Sequence, residues 1–295
     1  MQTKKRGSAS EKNRSVFGTG SRLLCPWLLG MLLLGACEQT DAPEPLIAEE
    51  GDTDGGFAAD LALRPIAICP EHMALVAVPE TRSSVCVDRY EAAVERLRPD
   101  GTSEPWPFDR VVDGLTVRAI IRPGQKPQAY ISGTQAQAAC KLAGKRLCTQ
   151  PEWLAACQGR SRFTYPYGNT YKKGACNEGR STNPVHDCFG PGGGVFTSKN
   201  MNDPCCVSLP NTVAPAGSFP ECKSSDHVYD LHGNLHEWVD ATTPSGNGVF
   251  RGGFFVDAKI NGAGCLYRTV AHAKSYHDYS TGFRCCADPA PSPAP

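Results

Sequence analysis

The chain has 295 residues, with 30 Lys and Arg against 30 Asp and Glu, so its formal charge is zero; it carries 30 Gly, 24 Pro and 15 Cys. That length builds one large domain or two ordinary ones around a sizeable core, and the lack of a basic excess argues against nucleic acid as a partner. Fifteen cysteines are many for a reducing cytosol and point to an oxidising compartment.

Residues 1–22 carry Lys4, Lys5, Arg6, Lys12, Arg14 and Arg22 against the single acid Glu11, and an apolar run follows from Leu23 to Leu34, interrupted by Pro26 and Gly30. A basic start, an apolar stretch and small residues before a cut point describe a signal peptide over residues 1–36. The run is shorter than the roughly 20 residues that a spanning helix needs. Its end, Leu34-Gly-Ala-Cys37, is similar to a bacterial lipobox. That resemblance implies an exported protein anchored to the cell envelope through a lipid on Cys37, and Glu38 after the cysteine implies the outer membrane. A plain signal peptide, or an uncleaved anchor with an incidental cysteine, is the alternative. Without residues 1–36, six of the 30 basic and one of the 30 acidic residues are gone, leaving 24 and 29, a formal charge of −5. Setting Cys25 and Cys37 aside leaves 13 of the 15 cysteines for the fold, an odd number.

Residues 37–64 are acidic, contain Pro and Gly, and lack apolar periodicity, which predicts a flexible tether. Residues 289–295 (Pro289-Ala-Pro-Ser-Pro-Ala-Pro295) predict an extended tail. Between them, residues 65–288 form one unit with no internal linker or fixed-period repeat. Met73–Val78 and Ser84–Asp88 predict two short strands about a turn. Thr134–Leu142 predicts an amphipathic helix stopped by Gly144. Thr149-Gln-Pro-Glu152 is a capping box that starts a second helix over about 150–157, with Pro151 tolerated in the first turn. From 158 to 250 the wealth of Gly, Asn, Pro and Ser predicts mostly loops, tied down by disulfides, ions or function; poorly ordered insertions, particularly 186–206, are the second reading.

Seven signatures then occur in order: Cys86-Val-Asp-Arg-Tyr-Glu91, Ala139-Cys-Lys-Leu-Ala-Gly-Lys-Arg-Leu147, Thr149-Gln-Pro-Glu-Trp153, Tyr165-Pro-Tyr-Gly-Asn169, Tyr229-Asp-Leu-His-Gly-Asn-Leu-His-Glu-Trp238, Arg251-Gly-Gly253 and Thr281-Gly-Phe-Arg-Cys285. Their order and spacing resemble the formylglycine-generating enzyme, or sulfatase-modifying factor, family over about residues 70–288. The resemblance implies a compact α+β fold related to C-type lectins, loop-rich, with few short helices and strands, and disulfide-bonded. Within these motifs Trp153, Trp238 and Tyr229 read as core aromatics beside caps and turns. Gly233-Asn234 reads as a turn, and Gly252-Gly253 as a place of close approach or positive φ. Arg146 and Arg284 read as partners of buried acids such as Glu152 or Glu237 rather than as ligand contacts.

The family resemblance also implies an oxidase that converts a client-protein cysteine to formylglycine with oxygen and Cu(I) held by two cysteines, the soft ligands that suit that ion. The second of these maps to Cys265, the candidate catalytic residue. The first falls on Asp257, with a segment about three residues longer between them; Phe254 and Ala258 replace the family's Ser and His. A carboxylate is a poor Cu(I) ligand, so Cys265 also reads as a disulfide partner, with Cys157 as a candidate mate. The resemblance further implies a Cys140–Cys285 bridge; Cys69–Cys86 is a local bridge across the first two strands. It implies calcium at Asn177, whereas the second family calcium loop is replaced by Ser224-Ser-Asp-His227. His232 and His236 are four apart, but Gly233-Asn234 breaks the helix that a zinc protease needs. The reading is thus a non-catalytic binding or structural module with a protein or glycan ligand. The alternative is the oxygen-dependent oxidoreductase, for which alone copper would be required.

Overall fold

The computed structural model describes residues 67–291. Residues 1–66, which include the expected signal segment, Cys37 and the expected tether, and residues 292–295 lie outside the described residues. Among the described residues no helix is long and apolar enough to cross a membrane.

Alternation decides the first hairpin. In β2 (Met73–Val78), Ala74, Val76 and Val78 are buried while Leu75 and Ala77 are exposed, as a strand with one covered face requires. It pairs antiparallel with β3 (Ser83–Asp88), from Met73 opposite Asp88 to Val78 opposite Ser83. A further short strand, β1 (Ala67–Ile68), precedes this hairpin. A three-stranded sheet follows from β4 (Ala93–Leu97), β5 (Ser103–Pro105) and β6 (Val117–Ile120), in the order β5-β4-β6.

Helix α1 (Gly133–Leu142) is one residue longer at its start than expected. The reason is a capping box not singled out in the sequence: the Ser132 hydroxyl accepts from the Gln135 amide (3.3 Å), and Gln135 Oε1 accepts from the Ser132 amide (2.9 Å). Gly144 ends it with φ +71°. After β7 (Arg146–Leu147), α2 (Gln150–Gln158) begins where Thr149 and Glu152 predict, with the Thr149 amide donating to Glu152 Oε2 at 2.7 Å. Residues 186–206 are not simple loop. Three short helices, α3 (Pro184–Phe189), α4 (Ser198–Met201) and α5 (Cys205–Ser208), are stapled by Cys188–Cys205. Asn183 caps α3 by accepting from the Val185 amide (2.9 Å), with Pro184 at the first helical position.

The rest of the chain supplies β8 (His236–Thr242), β9 (Gly248–Arg251), β10 (Arg268–Thr269), β11 (Thr281–Phe283), β12 (Cys285–Ala287) and β13 (Ala290–Pro291). Two four-stranded sheets result, β10-β9-β8-β11 and β2-β3-β12-β7; β11 runs parallel to β8. The Pro-rich segment is not wholly free, because β13 pairs antiparallel with β1. Arg284 alone separates β11 of one sheet from β12 of the other, so its side chain is carried into the seam between them and is fully buried.

Among the described residues six disulfides tie the loops: Cys69–Cys86, Cys140–Cys285, Cys148–Cys286, Cys157–Cys265, Cys176–Cys222 and Cys188–Cys205. Each adjacent pair of cysteines reaches in two directions: Cys285 and Cys286 take different partners, while Cys206 beside Cys205 is a buried free thiol. It is the leftover member of the odd count. Burial, with Asp203 and Asp278 nearby, pushes that thiol up to about 12, leaving little reactive thiolate at neutral pH. Native protein treated with iodoacetamide is therefore expected to leave the Cys206 peptide unlabelled, and unfolding without reductant to label it fully. Native labelling of that peptide at neutral pH would contradict the burial.

Candidate functional site

The site begins at the end of β9, where Gly252 and Gly253 adopt φ of +86° and +75°. A Cβ on Gly253 would come within 2.4 Å of the Ala258 Cα, so the turn needs glycine. The turn returns the chain to Asp257. There Oδ1 accepts from the Lys259 and Ile260 amides (2.9 and 3.1 Å), and Oδ2 accepts from the Tyr267 hydroxyl (2.9 Å). Burial and then the Asp257 charge raise the Tyr267 hydroxyl to about 12, so it remains the donor. Asp257 is thus a loop-organising carboxylate with both oxygens engaged.

Cys265 is fully buried and bonded to Cys157, which α2 presents to it within the same buried cluster. The two cysteine ligands implied by the family pattern do not come together. One position is a hydrogen-bonded carboxylate, and the other is oxidised sulfur without a thiolate to give. This set does not fit Cu(I), which favours soft thiolate and thioether donors.

Around Asp257 lies a polar–aromatic group. Glu178, with its side chain 3% exposed, faces Lys259 at 3.3 Å and accepts from the Tyr171 hydroxyl, while the Lys259 ammonium sits 3.7 Å from the Tyr171 ring centre. His232 packs edge-on to Tyr165, and neither of its ring nitrogens has a hydrogen-bond partner among the described residues. Burial holds it neutral, down to about 4. His236, which opens β8, lies among Phe250, Phe254 and Tyr267 and is driven to about 3 by burial and then by His272. Among the described residues no three His, Cys, Asp or Glu side chains gather as a metal-binding group.

These histidines give the fold an acid limit. A folded-state pKa below the ordinary 6.5 means stability that is complete above pH 6.5 and is lost as pH falls toward the folded value. At pH 5 the shift at His236 corresponds to about 2 kcal/mol, and His232 acts in the same direction. Asp230, raised by burial to about 6 from 3.8, works oppositely, its contribution being complete below pH 3.8 and lost as pH rises toward 6. His236→Phe matches the aromatic surroundings and is expected to melt closer to its neutral-pH temperature at pH 5 than the parent does. An equal acid shift in both proteins would refute this assignment.

Asn177 is a junction of three loops. The Ala214 amide donates to Asn234 Oδ1 (2.9 Å), which identifies that atom as oxygen; Asn177 must therefore face it with its amide nitrogen (2.8 Å), which also reaches the Thr212 carbonyl (2.8 Å). Asn234 passes its own amide nitrogen to Glu91 Oε2, while Glu91 Oε1 accepts from the Leu235 amide at 3.0 Å. Asn177 leaves one side-chain oxygen for a cation, and its neighbour Glu178 is committed to Lys259 and Tyr171. Calcium takes six to eight oxygens, backbone carbonyls among them; the side chains here supply too few by themselves, and Asn177 serves as a hydrogen-bond hub. The sequence marks Gly233-Asn234 as a turn, but not the side-chain role of Asn234, which depends on contacts 57 and 143 residues away.

Comparison with known proteins places this geometry. Residues 111–289 match the sulfatase-modifying factor enzyme 1-like domain. The chain is 31% identical over 214 residues to the formylglycine-generating enzyme of Thermomonospora curvata, covering 63% of each. It is 28% identical over 168 residues to the inactive C-alpha-formylglycine-generating enzyme 2 of Mus musculus, covering 55% of this chain and 49% of the relative. It therefore spans about half to two thirds of the length of these relatives. Among solved structures, PvdO from Pseudomonas aeruginosa is similar over 73% of this chain and 91% of its own, at 16% identity and a TM-score of 0.44. The ordered motifs, the loop-rich disulfide-bonded α+β fold and a match over more than half of the residues lead to one conclusion: the chain belongs to the sulfatase-modifying factor enzyme 1-like family.

Proposed function

We propose that this domain is a non-catalytic binding or structural module, exported and held at the cell envelope through a lipid on Cys37. The observation that carries the reading is the Cys157–Cys265 bridge beside a triply hydrogen-bonded Asp257. An oxidase of this family needs free thiolates where this chain has a disulfide and a carboxylate. The partial identity to an inactive relative is in keeping with that reading.

The decisive test incubates the oxidised chain with Cu(I), oxygen and a Cys-x-Pro-x-Arg peptide. No aldehyde in the peptide by mass spectrometry is the expected result; aldehyde would establish the oxidoreductase instead, the reading that identity to the Thermomonospora curvata enzyme favours. The anchor is tested separately. Labelled palmitate is expected to enter the parent chain and not Cys37→Ala, and equal membrane fractionation of both would remove the lipid from the proposal.

A further inference from the structure

The segment Ser224-Ser-Asp-His227, which departs from the family pattern, is absorbed neither by the core nor by the site around Asp257. It borders a recess of about 570 Å³ between the 163–172 and 220–227 loops. Phe163, Tyr167 and Pro220 form apolar walls; Lys223, Ser225 and His227 supply polar groups, and the Glu221 carboxylate also lines the recess.

The recess is held in shape before anything enters it. The Tyr167 ring stacks on Tyr165, with centroids 5.5 Å apart and planes within 10°, and its hydroxyl accepts from the Lys172 amide at 3.2 Å. One face of the ring is thereby covered, and the side chain also lines the recess. The opposite loop is fastened at its base by Cys176–Cys222. It is closed by the Ser224 amide donating to the Val228 carbonyl (3.0 Å) and the His227 amide donating to the Ser224 carbonyl (2.9 Å). Arg89 Nη1 donates to the Asp226 and His227 carbonyls at 3.0 and 3.1 Å. An ion pair between Lys172 and Glu221 joins the two loops. Such pre-ordering lowers the entropy cost of binding.

One group at the recess has unmet chemistry. The Lys223 ammonium lies 5.7 Å from the Tyr229 ring centre and has no carboxylate at ion-pair distance among the described residues. An aromatic ring bordered by the Ser225 hydroxyl, the His227 imidazole and a lone ammonium suits a ligand with one apolar face, several hydroxyls and a negative charge.

We infer that this recess binds an acidic saccharide, stacking a sugar ring on Tyr167 and directing its carboxylate to Lys223. The inference rests on the binding-module reading and names its ligand class. A phosphate alone would leave the aromatic face unused, and a neutral sugar would leave Lys223 unpaired.

The test titrates the oxidised full chain with a glucuronate-containing disaccharide, its neutral glucose counterpart, and benzoate, by calorimetry and saturation-transfer NMR. The acidic disaccharide is expected to bind about tenfold or more tightly than the neutral one. Lys223→Gln is expected to abolish that preference, and Tyr167→Ala to weaken both sugars about tenfold. Tyr167→Phe keeps the ring and is expected to bind like the parent, which separates loss of stacking from loss of fold. Absence of saturable saccharide binding, indifference to both variants, or benzoate binding as well as the acidic sugar would each overturn the inference. If sugars fail while the Cys-x-Pro-x-Arg peptide stays unmodified, only the ligand class falls. Aldehyde formation would remove the binding-module reading whatever the sugars do.

Discussion

Replacing Arg284 by methionine is expected to cost about 3–5 kcal/mol, the range for breaking a buried ion pair by removing one partner. In the parent, Arg284 Nε and Nη2 each donate to a Glu237 oxygen at 2.6 Å, Nη1 donates to the Asp88 carbonyl (2.9 Å) and Nη2 also to the Tyr229 carbonyl (2.8 Å). Both side chains are essentially inaccessible, at 0% and 1% exposure. Among the described residues Glu237 would keep only the Trp153 indole as a donor (2.7 Å). It would share the seam with Glu91, already held well above the usual carboxylate range by burial and then by Asp230 and Glu237.

The pH dependence separates this account from simple loss of packing. Without Arg284, Glu237 should gain a raised folded-state pKa, and a carboxyl of that kind contributes stability below its unfolded pKa that is lost as pH rises. The penalty should therefore be larger at pH 7.5 than at pH 4.5, as read by urea unfolding of both proteins at each pH. Adding Glu237→Gln removes the stranded charge and is expected to restore part of the loss. A penalty that is independent of pH, with no recovery in the double variant, would show that Arg284 matters only as volume.

This seam shows how far local patterns carry and where they stop. The apolar alternation of Met73–Val78 and the Thr149–Glu152 box act within a few residues, and the hairpin and α2 begin where those patterns place them. Arg146 pairs bidentately with Glu152 at 2.7 Å, six residues away, and that pairing too was within reach of the sequence. The parallel pairing of Thr281–Phe283 with His236–Trp238 has no local signal, because its register is set by the packing of two sheets rather than by a turn. The helices α3 to α5 were missed for another reason. Each spans six residues or fewer, too short for periodicity to rise above the surrounding Gly, Pro and Asn. The Asn183-Pro184 start was the signal available.

Cysteine pairing divides in the same way. Family resemblance carried Cys140–Cys285 and the proximity of two strands carried Cys69–Cys86, whereas Cys148–Cys286, Cys176–Cys222 and Cys188–Cys205 depend on loops meeting in space. At the candidate site, the replacement of a family cysteine by Asp257 was legible. Its Tyr267 donor was not, since that contact lies ten residues on and depends on how the loop folds back; the Lys259 and Ile260 amides, two and three residues on, form the local turn that an Asp favours.

Removing Cys140–Cys285 and Cys148–Cys286 together, by alanine at all four positions, is expected to cost about 1 kcal/mol more than the sum of the two separate removals. The bridges run side by side: Cys140 lies in the last turns of α1 and Cys148 directly follows β7, while Cys285 and Cys286 are neighbours in β12. With either present, the other closes an additional ring of only about ten residues, which the chain-entropy relation values at about 3 kcal/mol. With both absent, the surviving constraint is Cys157–Cys265. The ring to be closed from Cys148 to Cys157 and from Cys265 to Cys286 is then about 30 residues, worth closer to 4 kcal/mol. The alanine substitutions leave the same voids in single and double removals, so packing losses cancel in the comparison. Urea midpoints of the parent, the two single-bridge variants and the double-bridge variant, all under non-reducing conditions, read the excess directly. Strict additivity would mean that the two staples act on independent parts of the unfolded chain, and a double loss smaller than the sum would mean that they couple with the opposite sign. Either outcome would contradict the shared ring implied by their nearly coincident ends in β12.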